Sequence, residues 1–507
     1  SRSSAPSCVQ MGCVNQSACT SVVHSSQDNA LVQQPLQQPD GTAPSSSSSK
    51  SKPEAAVSGS SVNGSRKADA LPDGSVQAEV QWLTENLYIQ KVCVHCPIEL
   101  VDYSILQKIP TARKKSFITK AQNVEVLDRA MGSMCGMGIG DALGHMFEFL
   151  PATDTPGHNY FDLRTMKFHG TRNKFRLQLG QWTDDASMGL CIADSLIVTR
   201  DYDGSDMRAR FWCWWNCGYN NTFRLDKSRW RKDSVGLGEN ISKSLHALSR
   251  LPNGEKPPPI FKATGEDAGN GSLMRFTPIA LFFHALPQQE LYNYARQSSY
   301  TTHPGIFAAE ACSLLAHIIK KALDRPSGPV DAQAFMDEAT AEYLVASGLE
   351  NKSGKGYREM NWLVRGRPER ATERCWAWRE PSLDIEGTLR ARGSRYNGYP
   401  VTADYFGSYS LDGLAMAMWS VYHTKSFDEA IQRSINLLGD ADSTGSIAGQ
   451  IAGALYGYSS IHSQFIQWQS RWDEHEFAVR AVLLYELGTQ WAAASKHAGE
   501  DPEEVCL

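Results

Sequence analysis

The first 81 residues of the chain contain no phenylalanine, tyrosine or tryptophan, and Trp82 is the first of these aromatic residues. The same stretch is rich in serine, glutamine, alanine and proline, with a run of five serines over residues 45–49. Such a composition cannot bury enough apolar surface to offset the entropy that a chain loses on folding. We therefore predict a disordered low-complexity tail over residues 1–80, followed by a linker or N-terminal extension over residues 81–123.

Long apolar runs are also missing, because no stretch approaches the roughly 20 residues that a membrane-spanning helix needs. A net charge of -5 and a pI of about 6.2 argue against a nucleic-acid partner. The 12 cysteines have no regular spacing. Cys93 and Cys96 are spaced like half of a zinc site, but no second pair with that spacing follows, so the sequence argues against a zinc knuckle. We expect free thiols in a reducing compartment, and therefore a cytoplasmic location.

The printed sequence does not begin with methionine. If translation began at Met11, the run Met11-Gly12-Cys13-Val14 would resemble a myristoylation signal with a cysteine available for palmitate, and a lipid anchor would follow. Gln16 occupies the place of the usual serine or threonine. Chance is therefore the better explanation of this run.

From residue 124 to residue 492 the apolar spacing is typical of helices, and strand-like alternation is scarce. We predict an all-α domain with helices over residues 124–149, 186–198, 310–323, 332–346, 411–423 and 427–437. Two stretches rich in glycine, proline and charge, residues 201–265 and 326–400, are interpreted as insertions. The second, which contains Trp376 and Trp378, is either a lid or partner surface or a solvated elaboration. Residues 493–507 form a C-terminal tail.

Two of the predicted helical regions have glycine at every fourth position. These glycines are Gly132, Gly136, Gly140 and Gly144 in the first region, and Gly445, Gly449, Gly453 and Gly457 in the second. A helix with this pattern has a bare stripe along which a neighbouring backbone can approach closely. Each glycine weakens an isolated helix by up to about 1 kcal/mol relative to alanine. We therefore predict that tight packing of these two helices offsets the cost.

Two acidic runs, Thr183-Asp184-Asp185 and Asp440-Ala441-Asp442-Ser443, begin helical segments and include hydroxyl side chains. Each run alone is also explained by helix capping, for which these residue types are favoured. Four carboxylates in two clusters would repel one another without a cation, and hard divalent ions prefer oxygen ligands. The two runs together therefore predict a metal site.

Three other motifs surround the acidic runs. Glu148 follows the run Gly140-Asp141-Ala142-Leu143-Gly144, on about the same helical face as Asp141 two turns earlier. The small residues of Gly269-Asn270-Gly271-Ser272 would let backbone N–H groups reach a phosphate, although the run is also typical of a turn. His303 lies in a polar segment, and a lone histidine is more often structural than a ligand.

Taken in order, five motifs resemble those of the ADP-ribosylglycohydrolase family over roughly residues 124–490. They lie at residues 140–148, 180–185, 269–275, 298–304 and 438–445. The resemblance implies a compact, orthogonal bundle of helices that binds two magnesium ions. It assigns as metal ligands Thr183, Asp184, Asp185, Asp440, Asp442 and Ser443. It also implies that substrate is bound by Asn270, Gly271, Ser272, His303 and Tyr409.

The activity implied by this resemblance is hydrolysis of the N- or O-glycosidic bond between ADP-ribose and an acceptor, which is a protein side chain or a small molecule. Glu148 would take a proton from the attacking water or align it, with Asp184 and Asp442 as the other catalytic residues. Ser443 gives a slight preference for arginine-type members. Many members have a threonine where this chain has Ala186, and two glycines where it has Leu438-Gly439.

Two alternatives remain open. One is a catalytically inactive member that binds ADP-ribose or another nucleotide, or serves a structural, crystallin-like role. The other is a two-metal phosphoesterase, although no histidine-rich metal cluster is visible in the sequence. Every expected ligand position has an oxygen donor, which favours an active enzyme over the first alternative.

Overall fold

The computed structural model describes residues 74–155, 157–228, 233–263 and 268–498. Residues 1–73, which contain most of the predicted tail and the run that starts at Met11, lie outside the described residues, as do residues 499–507. Within the described ranges the architecture is helical, which confirms the prediction of an all-α fold. No helix among the described residues is long and apolar enough to cross a membrane.

The elements follow one another in a simple order along the chain. The first six helices are α1 (Val76–Glu85), α2 (Thr111–Ala121), α3 (Glu125–Gly144), α4 (Asp184–Thr199), α5 (Gly204–Cys217) and α6 (Glu239–Leu248). The next six are α7 (Thr277–Phe282), α8 (Gln288–Tyr300), α9 (Ile306–Asp324), α10 (Ala332–Ala346), α11 (Lys355–Arg365) and α12 (Ile385–Arg392). The last five are α13 (Ser410–Tyr422), α14 (Phe427–Ile435), α15 (Ala441–Tyr456), α16 (Ser463–Asp473) and α17 (Glu476–Ala498).

The strands among the described residues form two short antiparallel hairpins. In the first, β1 (Tyr160–Asp162) pairs with β2 (Lys167–His169); in the second, β3 (Arg395–Tyr396) pairs with β4 (Tyr399–Pro400). Several helices begin with the capping chemistry that their sequences predict. Asp331, for example, accepts hydrogen bonds from the N–H groups of Gln333 and Ala334 at the start of α10.

Helices α3 and α15 run antiparallel and touch backbone to backbone along their glycine stripes. A Cβ atom built on Gly136 would lie 2.1 Å from the carbonyl oxygen of Gly449, and one on Gly140 would lie 2.0 Å from that of Gly445. The same relation holds further along, where a Cβ on Gly144 would lie 2.2 Å from the Ala441 oxygen. The predicted tight pairing of the two glycine stripes is therefore confirmed.

Other helices surround this central pair. Helix α17 packs along α3, and α13 and α14 pack against α15. Helix α1 spans the predicted boundary between tail and linker, and α2 lies within the predicted linker. Both helices pack on α17. Their buried residues Leu83 and Phe117 join the same hydrophobic core as the glycine-striped helices. Residues 81–123 thus contribute to the core, and α2 within them packs on the last helix of the chain.

The two predicted insertions contain regular elements. Residues 201–265 include α5 and α6, and residues 326–400 include α10, α11, α12 and the second hairpin. Trp376 and Trp378 are fully buried, and their indole N–H groups donate to Asp412 Oδ1 and the Leu363 carbonyl oxygen, each at 2.7 Å. The interpretation of this segment as a solvated elaboration is therefore wrong for the part around these tryptophans.

Replacing Gly449 tests the central helix pair. A Cβ atom at this position would lie 2.0 Å from the carbonyl oxygen of Gly136, which is backbone and cannot move aside alone. We expect Gly449→Ala to lower the free energy of unfolding by about 2 kcal/mol or more, despite the better helix propensity of alanine. Denaturant unfolding measures this change. Gly157→Ala is the control, because its new Cβ would have nothing within 4 Å apart from its own chain neighbours. Equal stability of the two variants would contradict the packing argument.

Candidate active site

The N-terminal ends of α4 and α15 meet the C-terminal half of α3, and the acidic runs lie at this meeting point. Asp141 of α3 organises it. Its carboxylate accepts hydrogen bonds from the backbone N–H and the hydroxyl of Thr183, both at 2.9 Å, and from the Ala186 N–H at 2.9 Å. Asp141 therefore caps α4 from another helix and holds the first acidic run in place.

Asp141 was not among the predicted site residues, although it lies in the predicted motif at residues 140–148. The sequence feature that could have identified Asp141 is its position between Gly140 and Gly144, which have no side chains and so let α3 approach α15 closely. Since Ala186 contributes its backbone N–H to Asp141, the departure from threonine at that position leaves this contact intact.

Carboxylate oxygens gather into two clusters that share Asp442. One oxygen from each of Asp141, Asp185 and Asp442 lies within 4.8 Å of the others, and the same is true of Glu148, Asp440 and Asp442. The structure thus brings Glu148 and both acidic runs together, as the sequence predicted.

The two hydroxyl residues lie beside these clusters. The hydroxyl oxygen of Thr183 is 3.2 Å from Asp185 Oδ2 and 3.4 Å from Asp442 Oδ2. The Ser443 N–H donates to Asp442 Oδ1 at 2.9 Å, while its hydroxyl faces the Met274 sulfur at 3.7 Å.

Asp184 is buried under the loop that contains Gly236. A Cβ atom on Gly236 would lie 2.0 Å from Asp184 Oδ1, and the backbone at this glycine has a φ of +91°. Only glycine combines this left-handed conformation with such a close approach. The loop therefore shields Asp184 from solvent.

Burial and mutual repulsion disfavour the ionised carboxylates. Burial, followed by the charge of Asp442, raises the pKa of Asp141 to about 7. Burial is also the main reason why the pKa of Asp185, Asp442 and Glu148 lies well above the usual range, with neighbouring carboxylates adding to it. Burial raises the pKa of Asp440 too, against a hydrogen bond from Asn270 that lowers it.

The donor set fits a hard divalent cation. All the ligand atoms are carboxylate or hydroxyl oxygens, which Mg²⁺ and similar ions prefer. Glu148 Oε2 and Asp185 Oδ1 are buried and have no hydrogen-bond partner. A buried charged oxygen without a partner is costly, and a bound cation would remove that cost for both.

The loop with Asn270 joins this acidic centre to the residues predicted to bind substrate. The side-chain amide of Asn270 donates to Asp440 Oδ2 at 2.7 Å and to the Gly407 carbonyl oxygen at 3.0 Å. Its backbone N–H donates to the Ser408 carbonyl oxygen at 2.9 Å. Asn270 therefore orients one of the candidate metal ligands.

The other residues of this loop face inward. The buried Ser272 hydroxyl accepts a hydrogen bond from Ser299 at 2.9 Å. Gly271 lies against the ring of His303, where a Cβ atom would be 2.7 Å from Cε1. Burial, with a smaller effect of Arg275, lowers the pKa of His303 to about 3, so its ring is neutral at physiological pH.

Tyr409 lies on the other side of the Asn270 loop. Its neighbour across an isolated β-bridge is Gly269. Its ring is nearly parallel to that of Trp376, with centroids 6.5 Å apart, and it also contacts Tyr396 and Phe307 at 5.8 and 6.0 Å. The structure therefore places Tyr409 in an aromatic cluster next to the loop.

The turn into α15 has an unusual backbone. Leu438 has a φ of +62° and Gly439 a φ of +68°, both in the left-handed region. For leucine this conformation costs roughly 1–2 kcal/mol. A glycine pair at this turn would avoid the cost, so the departure at Leu438 stores strain two residues before Asp440.

The chain matches the family model described as ADP-ribosylglycohydrolase over residues 122–492. It is 27% identical over 361 residues to ADP-ribosylarginine hydrolase Tri1 of Pseudomonas putida (strain GB-1), an alignment that covers 69% of this chain and 76% of that protein. It is 26% identical over 348 residues to ADP-ribosyl-[dinitrogen reductase] glycohydrolase of Rhodospirillum rubrum, covering 69% of this chain and 91% of that protein.

One solved structure, described as an ADP-ribosylglycohydrolase-related protein complex, is 25% identical in sequence and superposes with a TM-score of 0.49. It covers 72% of this chain and 99% of the solved chain. The family assignment depends on the match over residues 122–492, which is well over half of the sequence and contains every residue of the acidic centre. The chain belongs to the ADP-ribosylglycohydrolase family and is a hydrolytic enzyme of that family.

Proposed function

We propose that this protein is a magnesium-dependent hydrolase that cleaves the glycosidic bond between ADP-ribose and an acceptor. One observation carries the proposal: Asp442 belongs to two carboxylate clusters at once, and one of them includes Glu148, whose buried Oε2 has no hydrogen-bond partner. Two clusters that share a ligand suit two neighbouring cations, which is the number expected from the family resemblance.

The residues that would hold the cations are the hydroxyl and carboxylate side chains of the two acidic runs. They are Thr183, Asp184, Asp185, Asp440, Asp442 and Ser443. When bound, divalent cations at these oxygens supply Lewis acidity and offset the negative charge of the site. Asp141 acts as a positioning residue, because its three hydrogen bonds to Thr183 and Ala186 are already made.

Glu148 is the candidate general base. Its Oε2 atom has no hydrogen-bond partner within the protein. This oxygen can therefore accept a hydrogen bond from the water molecule that attacks C1 of the ribose. As water adds to C1, the bond to the acceptor breaks and its electron pair leaves with the acceptor atom. The carboxylate takes a proton from the water, and a proton passes to the acceptor atom, so that the products are free ADP-ribose and the protonated acceptor. This differs from ordinary glycosidases, in which two carboxylates act from opposite sides of the sugar.

The Asn270 loop is the proposed binding site for the ADP-ribose diphosphate. None of the described residues accepts a hydrogen bond from the backbone N–H of Gly271 or Ser272. These donors follow Asn270, whose side chain binds Asp440, and they suit an anion better than the buried Ser272 hydroxyl does. The neutral ring of His303 would pack against Gly271 and keep the loop in place. Tyr409, next to Gly269, would contact the bound nucleotide.

Arginine is the acceptor that we propose first. The relatives named ADP-ribosylarginine hydrolase, from Pseudomonas putida and Serratia proteamaculans, are 27% and 28% identical to this chain. The alternative to enzymatic activity is that the protein binds ADP-ribose without hydrolysing it. Retention of an oxygen donor at every predicted ligand position favours the enzyme.

Substrate and metal are tested in one assay. We expect free ADP-ribose to be released from arginine-linked ADP-ribose in the presence of Mg²⁺ and not in the presence of EDTA, with serine-linked and O-acetyl-linked conjugates as comparisons. Chromatography of the released nucleotide measures the reaction. Release from another conjugate would replace arginine as the acceptor. Binding of ADP-ribose without release from any of them would favour the non-catalytic alternative.

Asp442→Asn tests the shared ligand. We expect this variant to lose Mg²⁺-dependent turnover, because both clusters lose a charged oxygen while the side-chain shape is kept. Its unfolding midpoint in metal-free buffer should equal or exceed that of the wild type, since one buried, repelling charge is removed.

The matched control for that variant is Asp331→Asn, at the start of α10. It should retain both stability and turnover, because the amide oxygen of asparagine accepts the same capping hydrogen bonds from Gln333 and Ala334. Full activity of Asp442→Asn, or equal loss in both variants, would contradict the assignment of Asp442.

Glu148→Gln separates chemistry from binding. The amide keeps the size of the side chain but cannot take a proton, so we expect kcat to fall by roughly 100- to 10,000-fold. The dissociation constant for ADP-ribose, measured by calorimetry, should change little. A loss that appears only in substrate affinity would exclude Glu148 as the base.

A further inference from the structure

Four cysteines from two distant parts of the sequence meet outside the acidic centre. Cys93 and Cys96 lie in the irregular segment between α1 and α2, and Cys213 and Cys217 lie in the last turn and a half of α5. All four are reduced thiols in the structure. Their spacings are Cys-x2-Cys and Cys-x3-Cys, and the second places both sulfurs on one face of the helix.

The four thiols are near enough to shift one another's pKa. The Cys213 thiol, and after it the Cys93 thiol, lowers the pKa of Cys96, while the Cys217 and Cys96 thiols raise the pKa of Cys213. The Cys213 sulfur lies 3.1 Å from the Cys93 carbonyl oxygen, and the Cys217 sulfur lies 3.7 Å from the Cys96 carbonyl oxygen. The two pairs therefore face each other directly.

The backbone of the first pair forms a tight turn. The Cys96 N–H donates to the Cys93 carbonyl oxygen at 3.1 Å, and His95 between them has a φ of +59°. The pKa of the Cys96 thiol is lowered to about 6, first by the Cys213 thiol and, against the effect of burial, by the nearby Ile98 N–H. Such N–H groups stabilise a thiolate by offsetting its charge.

His95 points away from the four sulfurs. Its Nε2 atom lies 2.9 Å from the Leu251 carbonyl oxygen, and its ring packs edge-on against Trp212 with centroids 5.3 Å apart. The donor set of this site is therefore sulfur alone. Four sulfur donors in two short-spaced pairs favour a tetrahedral metal ion, and zinc is the commonest occupant of such sites in proteins.

We propose that Cys93, Cys96, Cys213 and Cys217 bind one structural zinc ion. Four Zn–S bonds form at about 2.3 Å, and the thiol protons leave to solvent as the ion binds. The sequence argued against zinc because it contained no second Cys-x2-Cys pair. The second pair has one more residue between its cysteines and lies more than 100 residues away, so only the fold shows it.

The segment around the first pair needs such a link. The chain between α1 and α2 contains no helix or strand, and such long irregular connections are uncommon in compact domains. Near the cysteines it is held to α5 by the hydrogen bond from the Leu100 N–H to the Cys217 carbonyl oxygen, at 2.8 Å. A zinc ion would bind the segment to α5 through four further bonds.

Metal analysis of the full chain tests this proposal. Protein purified without metal-affinity resin or chelator should contain about one zinc ion per chain, as measured by inductively coupled plasma mass spectrometry. Exchange with Co²⁺ should produce the visible bands of a tetrahedral thiolate site. Iron in place of zinc, a disulfide within the four cysteines, or folded protein that takes up neither Zn²⁺ nor Co²⁺ would overturn the proposal.

Matched variants locate the ion. Cys213→Ser should lose the zinc and the cobalt bands. Cys191→Ser should keep both, although Cys191 is equally buried and its thiol also donates to a backbone carbonyl oxygen, that of Arg210. Asp442→Asn should keep the zinc as well. Zinc lost from Asp442→Asn and retained by Cys213→Ser would place the ion at the acidic centre and overturn the proposal.

A second measurement covers the case in which Cys213→Ser does not fold. Removal of zinc from the wild-type chain by a strong chelator should lower the melting temperature, and added Zn²⁺ should restore it, because the ion binds the folded state. Added Mg²⁺ should not restore it. A melting temperature that is unchanged when zinc is removed would overturn the structural role.

Discussion

Backbone contact between α3 and α15 is the constraint on which the rest of the structure depends. The glycine stripes let the two helices approach until the carbonyl oxygens of one lie where the Cβ atoms of the other would be. Because the helices are antiparallel, the C-terminal end of α3 meets the N-terminal end of α15. Gly144 consequently faces Ala441, which brings Asp141 and Glu148 beside Asp442. The same packing thus forms the core and the site.

The acidic centre is a place where function conflicts with stability. Burial and repulsion oppose ionisation of its carboxylates, and only part of that cost is offset within the protein. Asp141 receives three hydrogen bonds, Asp440 receives one from Asn270, and the N-terminal ends of α4 and α15 favour negative charge. Glu148 and Asp185 retain oxygens without partners. The remaining cost is what makes the centre suitable for cations.

The domain contains two groups of candidate metal ligands, the oxygen donors of the acidic centre and the four cysteine sulfurs, which lie outside that centre. Oxygen donors on the helix ends around α3 suit hard cations and a substrate with many hydroxyl groups. The four sulfurs at the end of α5 suit a soft-ligand structural site, and they hold a segment that has little regular structure of its own. In a third region, within residues 326–400, the buried indole N–H of Trp376 donates to Asp412 and that of Trp378 to the Leu363 carbonyl oxygen.

Much of the site was visible in the sequence because its signals are local. The period of the glycines, the oxygen donors of the two acidic runs and the helical spacing each lie within about 20 residues. Three features were decided by tertiary structure alone: the hydrogen bonds of Asp141 to α4, the meeting of the two cysteine pairs, and the burial of Trp376. Each depends on contact between segments far apart in the chain. Local spacing determines which faces a segment presents, but only packing determines which faces meet.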